Sequence, residues 1–205
     1  IDADLDTDMD DLNALTDVWL EDYYVAVQPS PVVLENMEAY TNDPNTYQDY
    51  LAYTEEKGAF GLLTLSFETD SMYSQVLRVD YDFDGRPHAH IPVRLIEKRM
   101  NSSLYDTFIT RIKKPAGCEI SKLIIDFYDG RGYADPITDN LLHTKGRITI
   151  DITGVAMDEW VAVEAPIPTG VTFDTCTDLY QIMYSIEDGG ADTGTLYIDS
   201  IELAD

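Results

Sequence analysis

Aspartate occupies almost every second position in the first eleven residues. Clustered carboxylates are typical ligands of Ca²⁺, which prefers hard oxygen donors. Leu12, Leu15 and Trp19 follow at helical spacing, so the pattern indicates an acidic metal-binding loop that leads into an amphipathic helix. An acidic helix start that complements the helix dipole is the alternative interpretation. The predicted calcium ligands are Asp2, Asp4, Asp6, Asp8 and Asp11.

A second acidic residue that could bind a cation is Asp199, which lies between Ile198 and Ile201 in an otherwise apolar segment. A carboxylate inside an apolar strand is unfavourable unless a cation pairs with it or a metal ion binds it. We therefore expect Asp199 to be buried and bound to a cation. The alternative is that this side chain faces water at the edge of a sheet.

The usual catalytic signatures are absent from the sequence, including those of serine hydrolases, zinc proteases, P-loop proteins and dinucleotide-binding proteins. Among 39 acidic residues, some pair will lie at a glycosidase-like distance of ~5–9 Å by chance. His88 and His90 have a spacing that can chelate a metal ion from a strand, but a solvated turn is the simpler interpretation. The sequence therefore predicts no enzymatic activity.

Charge and cysteine content narrow the choice of partners and cellular compartment. The chain has 205 residues and a formal net charge of −26, so it repels nucleic acid and anionic membranes, and we expect neither as a partner. No apolar run approaches the ~20 residues of a membrane helix. Cys118 and Cys176 are too few for a disulfide framework or a four-ligand zinc site. Whether they pair with each other in an oxidising compartment stays open.

Short runs of strand-type residues dominate the chain from Val32 onward, and turn clusters such as Asp84 with Gly85 separate them. Many short strands without helical periods between them predict an all-β fold, an antiparallel β-sandwich or jelly roll, preceded by one short N-terminal helix. The expected organisation is an acidic loop and helix at 1–24, a proline-containing linker at 25–31 and the β-domain at 32–205. The predicted strands cover 60–67, 75–83, 91–98, 105–112, 122–128, 147–152, 160–164, 179–186 and 195–203.

Three segments together resemble the galactose-binding-like β-jelly-roll carbohydrate-binding modules. The segments are 34–40 (LENMEAY), which is similar to their opening strand, 77–83 (LRVDYDF), and 194–203 (GTLYIDSIEL), which is similar to their closing strand. Met37 departs from the pattern, because the family usually has an aromatic residue there. The resemblance implies a non-catalytic module that binds a neutral polysaccharide and belongs to a secreted, multimodular protein.

The same resemblance implies a structural calcium ion that joins the opening strand to the closing strand. Its expected acidic ligands are Glu38 and Asp199, with Glu35 as a further candidate. The N-terminal segment DLDTDMDDLNALTDVWLED in turn resembles the loop-helix half of a dockerin-like repeat. That second resemblance implies calcium in the loop and a cohesin-like partner module.

Strand alternation predicts which side chains of the sandwich could contact a glycan. Sugars bind to aromatic rings and to planar polar groups on the outer face of a sheet. With Phe108, Ile125 and Tyr184 in the core, the outward residues include a cluster that we predict to lie on adjacent strands. Ordinary solvated sheet surface is the alternative interpretation for each one. The predicted ligand-binding residues are Arg111, Asp126, Tyr128, Gln181 and Trp160, with Arg131 and Tyr133 of the loop 129–136 at the rim.

Two further functions fit a jelly roll. One is a polysaccharide lyase or hydrolase, for which Tyr128 and Arg111 could form the reactive pair. However, basic groups that would neutralise a uronate are scarce in this sequence. The other is an adhesion or spacer module that calcium makes rigid and that binds no sugar.

Overall fold

The computed structural model describes residues 30–38, 62–85, 88–94, 101–129, 144–168 and 179–205. The acidic loop and helix predicted at 1–24, with the ligands Asp2, Asp4, Asp6, Asp8 and Asp11, lie outside these residues. So do most of the linker and the loop residues Arg131 and Tyr133. Within the described ranges the only helical element is a single 3₁₀ turn, Ser102–Leu104. No helix there has the length and apolarity needed to cross a membrane.

In the described part of the chain, ten strands form two antiparallel sheets, which confirms the predicted antiparallel β-sandwich. The strands are β1 Val32–Glu35, β2 Leu62–Asp70, β3 Ser74–Asp82, β4 His88–Arg94, β5 Thr107–Lys113, β6 Lys122–Asp129, β7 Thr144–Asp151, β8 Trp160–Pro166, β9 Leu179–Glu187 and β10 Thr193–Ala204. Among these, sheet A has the order β2-β3-β10-β5-β8, with β1 paired to β10, and sheet B has the order β4-β9-β6-β7. The paired strands are all antiparallel.

The core lies between the sheets and is built from alternate residues of each strand. Phe108 and Ile112 from β5 meet Ile125 and Phe127 from β6, and all four are completely buried. Tyr184 of β9 is also buried, as predicted, and its hydroxyl lies 3.5 Å from the Thr110 Oγ1. Burial of each such side chain stabilises the fold by about 1.5–3 kcal/mol, so this apolar layer fixes which face of each sheet points outward.

Strand β10 runs through the centre of sheet A and changes partner along one edge. Its first half pairs with β3 and its last residues pair with β1, while β5 pairs with it along the other edge. The register to β5 shifts between Ile198 and Ser200, so Asp199 is the extra residue of a β-bulge. Because of this bulge, Ile198 and Ile201 both face the core although they are three positions apart.

The connections between the sheets meet around Lys114, which follows β5 directly. Its side chain is buried, and Nζ donates hydrogen bonds to the carbonyls of Ile120 at 2.9 Å and Ile152 at 3.0 Å. The neighbouring Cys118 is a buried free thiol, whereas Cys176 lies outside the described residues. Lys114 thus joins the β5–β6 connection to the β7–β8 connection.

Two local predictions are wrong. The opening strand ends at Glu35 instead of continuing toward residue 40, because Met37 adopts a left-handed backbone with φ of 61°. Glu35 stabilises this turn, since its Oε1 accepts hydrogen bonds from the backbone N–H groups of Asn36 and Met37, both at 2.9 Å. His88 and His90 lie in β4 rather than in a solvated turn, paired with β9.

Candidate functional site

The structure divides the predicted glycan-binding residues between opposite sides of the sandwich. Arg111 of β5 and Trp160 of β8 belong to sheet A, whereas Asp126, Tyr128 and Gln181 belong to β6 and β9 of sheet B. The prediction that all five lie on adjacent strands is therefore wrong. Alternation shows whether a side chain faces the core, but it does not show to which sheet its strand belongs. Tyr128 and Arg111, the reactive pair of the lyase interpretation, are also on different sheets. They therefore cannot act together.

The outer side of sheet A carries an aromatic cluster, which we call the aromatic face and define by Tyr73, Trp160, Tyr197, Lys113 and Arg111. Lys113 is the cross-strand partner of both Tyr197 and Trp160, so three adjacent strands place these side chains in one row. Tyr73 joins them from the turn between β2 and β3. All five side chains are partly exposed.

Ring contacts hold the aromatic face together. The Tyr73 and Trp160 ring centroids are 5.2 Å apart with the planes at 74°, and those of Trp160 and Tyr197 are 6.5 Å apart. The Lys113 ammonium lies 5.9 Å from the Trp160 ring centroid and 5.7 Å from that of Tyr197. The Trp160 Nε1 is buried and has no hydrogen-bond partner among the described residues, although it is near the Asp70 carboxylate. The arrangement is one edge-to-face ring pair and one tilted ring pair, and a cation lies near both rings of the tilted pair.

Ion pairs surround these rings. The Arg111 Nη1 donates hydrogen bonds to the Glu202 Oε1 at 2.5 Å and to the Ser200 Oγ at 2.8 Å. Lys113 is 3.7 Å from the Asp70 carboxylate. The backbone N–H of Met72 is the largest cause of a lowered pKa at Asp70, and Lys113 contributes to it. Each of these two cations on the aromatic face therefore has an acidic partner.

The outer side of sheet B carries a different set, which we call the polar face and define by Asp126, Arg147, Tyr128, Met183 and Ser185. Asp126 and Arg147 are cross-strand partners joined by two hydrogen bonds, Nε to Oδ1 at 2.6 Å and Nη2 to Oδ2 at 2.8 Å. The Asp126 side chain is only 5% exposed, whereas that of Arg147 is 60% exposed. A shielded carboxylate thus orients a guanidinium that reaches solvent.

The rest of the polar face is shielded from solvent although it points away from the core. Tyr128 and Met183 form a small buried cluster separate from the main core. Ser185 is buried, and its hydroxyl is 2.5 Å from the Nδ1 of His90 on β4. Gln181 is the cross-strand partner of Tyr128. Of the residues that define the polar face, Arg147 is thus the exposed one, and the polar and aromatic groups beside it are buried.

Sequence reasoning missed two residues of this region. Arg147 was not a candidate, because its pairing with Asp126 depends on the β6–β7 register. His90 was assigned to a turn because Gly85 and Pro87 precede it. For Arg147 the sequence did hold a signal. Ile148 and Ile150 face the core, so strand alternation turns the preceding Arg147 outward.

The residues predicted to bind structural calcium meet near the β10 bulge. Burial raises the pKa of Asp199 to about 6; the Arg111 guanidinium opposes this rise, and the Glu38 carboxylate adds to it. The Glu38 Oε1 accepts a hydrogen bond from the backbone N–H of Gln75 at 3.3 Å. Glu35 is occupied by its own turn, as described above. Asp199 is therefore buried rather than facing water, as the sequence predicted.

The fit of these groups to Ca²⁺ is partial. Among the described residues no three His, Cys, Asp or Glu side chains converge in a way that could hold a metal ion. Asp199 is the group that most favours a cation, because its buried carboxylate has the Arg111 Nη1 as its nearest described cation, at 3.8 Å. Glu38 and Asp199 would supply two carboxylates, and the other ligands of a hard cation would have to be carbonyls or water.

Comparison with known proteins shows a shared fold. No family model matches the sequence, and no curated protein matches it. A family 11 carbohydrate-binding module of a cellulosomal cellulase from Clostridium thermocellum is similar in structure, with a TM-score of 0.55, 11% identity and coverage of 85% of this chain and 94% of that one. A Caldicellulosiruptor saccharolyticus carbohydrate-binding module solved with mannohexaose has a TM-score of 0.50, 12% identity and coverage of 85% and 97%.

A glycoside hydrolase is similar as well. The arabinose-bound α-L-arabinofuranosidase MgGH51 has a TM-score of 0.53 and 11% identity over 85% of this chain, but the match covers only 26% of the hydrolase. At these identities the similarity shows the β-sandwich fold alone. The solved structures that share it include carbohydrate-binding modules.

Proposed function

We propose that this chain is a non-catalytic carbohydrate-binding module and that it binds a neutral polysaccharide on the polar face of sheet B. The observation that carries the proposal is the Asp126–Arg147 pair beside the shielded Tyr128 and Met183. The pair presents an exposed guanidinium donor whose orientation the buried carboxylate fixes, and the buried Tyr128 and Met183 form an apolar cluster on the same face. A guanidinium offers several hydrogen-bond donors to the hydroxyls of a sugar.

Charge determines which polysaccharides fit. A net charge of −26 repels uronate and sulfated polymers, so a neutral chain is the expected ligand. The sandwich neighbours named above include modules for sugars, and their presence supports the choice of ligand class.

Calcium and the cellular context are part of the same proposal. We infer that a calcium ion links Glu38 to Asp199 and so stabilises the junction of β1 with β10. The parent protein would be secreted and multimodular, and a cohesin-like partner would bind the N-terminal segment. These three points rest on the sequence resemblance and on the under-paired carboxylate of Asp199.

Affinity electrophoresis in gels that contain soluble β-1,3-1,4-glucan, mannan or arabinan tests the proposal. We expect retarded migration in at least one gel without release of reducing ends. Arg147→Ala should reduce the retardation strongly, whereas Leu104→Ala, an exposed side chain in the 3₁₀ turn, should not change it. Unretarded wild-type protein in every gel would favour a spacer module instead. Reducing-end release would show that the chain is an enzyme.

A further inference from the structure

The aromatic face of sheet A is chemically suited to a sugar and lies on the opposite side of the sandwich from the polar face. We propose that it is a second glycan-binding face, so that one molecule binds two separate polysaccharide chains and bridges them. This inference rests on the proposed function, because it takes the same class of ligand. It extends that function from binding one chain to cross-linking two.

The ring geometry provides the first argument. The Tyr73 and Trp160 rings meet at 74° with centroids 5.2 Å apart, so they form a corner in which a pyranose stacked on one ring contacts the edge of the other. Tyr197 extends the row, with its centroid 6.5 Å from that of Trp160. All three rings are partly exposed. Aromatic rings in such a row are a typical platform for the apolar faces of successive sugars.

The polar groups beside the rings provide the second argument. Arg111 is 34% exposed, Lys113 is 29% exposed and Asp70 is 17% exposed, so donors and an acceptor border the platform. The pairs Arg111–Glu202 and Lys113–Asp70 already neutralise the two cations. The face therefore offers hydrogen bonds without a free positive charge, and this combination suits a neutral sugar better than an anion.

The two faces lie on opposite sides of the sandwich, and this determines how many glycan chains one molecule can bind. Each face is the outer side of one of the two packed sheets, so one stretch of a glycan cannot occupy both at once. Simultaneous occupation requires two chains or two distant parts of one chain. Bivalent binding of this kind raises retention on a polymer and joins chains without any new contact between proteins.

Matched variants separate the two faces. Tyr73 lies in a turn, so Tyr73→Ala should weaken the aromatic face alone, with Tyr73→Phe as the conservative variant that keeps the ring. Arg147→Ala should weaken the polar face, and Leu104→Ala serves as the exposed control. The probes are β-1,3-1,4-glucan, mannan and arabinan as long polymers and as short oligosaccharides. Thermal melting of each variant confirms that it is folded.

For the polymer that binds, we expect two oligosaccharides per wild-type molecule, and in each single-face variant we expect one site of wild-type affinity and one weakened site. Light scattering should rise when wild-type protein is mixed with the long polymer and should rise less with either variant at the same concentration. Tyr73→Ala should weaken binding at the aromatic face about fivefold, the loss expected for one stacked ring, and Tyr73→Phe should restore it.

A stoichiometry of one together with unchanged binding by Tyr73→Ala would overturn the second face and leave the proposed function intact. If Arg147→Ala keeps full binding while Tyr73→Ala removes all of it, the only glycan face is the aromatic one, and bridging is overturned. If wild-type protein binds none of the polymers, the proposed function fails, and this inference fails with it.

Discussion

The two outer faces of the sandwich hold their charges in different ways. On sheet A three described cations share five carboxylates, so each cation except Lys113 contacts more than one acid. On sheet B, Arg147 pairs with Asp126, and Lys122 pairs with Glu187. These two cations of sheet B are more exposed than the three of sheet A, at 60% and 43% against 34%, 34% and 29%. The residues of sheet A in these ion pairs are Arg78, Arg111 and Lys113 with Glu68, Asp70, Asp80, Asp199 and Glu202.

This difference predicts that sheet A contributes more to stability through its charges and that the more exposed cations of sheet B are more accessible to a ligand. Removal of Arg111 takes the cation away from two buried acids, Asp199 and Glu202. Removal of Arg147 takes it away from one, Asp126. The predictions below test this contrast, from the largest expected effect to the smallest.

Arg111→Ala should destabilise the protein more than Arg147→Ala does. Loss of Arg111 leaves the buried carboxylates of Glu202 and Asp199 unpaired, and we expect a loss of about 3 kcal/mol in the free energy of unfolding. Loss of Arg147 leaves one buried carboxylate, that of Asp126, without this cation, so it should lower the stability by about 2 kcal/mol. Urea denaturation measures both values.

The double variant Arg111→Ala with Glu202→Gln is the control for this result. It removes one uncompensated charge together with the cation, so it should recover part of the stability. Equal losses for the two single arginine variants would contradict the contrast between the faces.

Alternation predicted the core better than it predicted the site, and the reason is physical. Phe108, Ile125 and Tyr184 repeat with the period of two that a strand requires, so the core followed from local pattern. The prediction that Arg111 and Asp126 face away from the core is correct. The sheet to which each belongs, however, depends on hydrogen bonds between strands that are distant in the sequence. Pairings of that kind leave no local signal in a single sequence.

The bulge at Asp199 is a case in which the signal was present in the sequence. Ile198 and Ile201 are three positions apart, and two core residues at that spacing break the alternation of a regular strand. An extra residue between them restores it, and the structure has that extra residue at Asp199. The bulge turns this carboxylate toward Arg111, where it is buried and only partly neutralised.

Asp199→Asn should stabilise the protein at neutral pH in the presence of a chelator. The pKa of Asp199 is raised to about 6, so the fold favours its protonated form. The stability that this preference provides is fully present below the ordinary aspartate pKa of 3.8 and is lost as the pH rises to about 6. At roughly pH 7.5 the variant should therefore be more stable by about 1–2 kcal/mol, and near pH 4 the difference should vanish.

If calcium binds at the bulge, it should make the wild-type protein more stable than Asp199→Asn. Excess Ca²⁺ should raise the melting temperature of the wild-type protein and leave Asp199→Asn unchanged, because only the folded wild-type binds the ion. Glu164→Gln, which changes an exposed acid on the same sheet, is the matched control. Wild-type melting that does not respond to calcium or chelator would exclude the calcium site, and the pH effect would remain.

Tyr128→Ala should weaken polysaccharide binding by about 1 kcal/mol, or roughly fivefold, if its ring forms part of the polar face. Isothermal titration calorimetry with the retained oligosaccharide measures the change. Tyr128→Phe keeps the ring and should bind nearly as the wild-type does. Undiminished affinity in Tyr128→Ala would show that this residue is not part of the binding site. The aromatic face would then be the better candidate for the site.

The smallest contrast concerns one lysine on each face. The Lys113 ammonium lies between the Trp160 and Tyr197 rings, so Lys113→Met should lower the stability by about 0.5–1 kcal/mol through the loss of cation–π attraction. Lys122 pairs with Glu187 at 2.6 Å and has no ring contact with the described residues, and its side chain is 43% exposed. Lys122→Met should therefore change the stability less, and added salt should weaken its contribution more. If the two variants respond equally to salt, the rings contribute nothing measurable to holding Lys113, and the aromatic face would be no more preorganised than ordinary sheet surface.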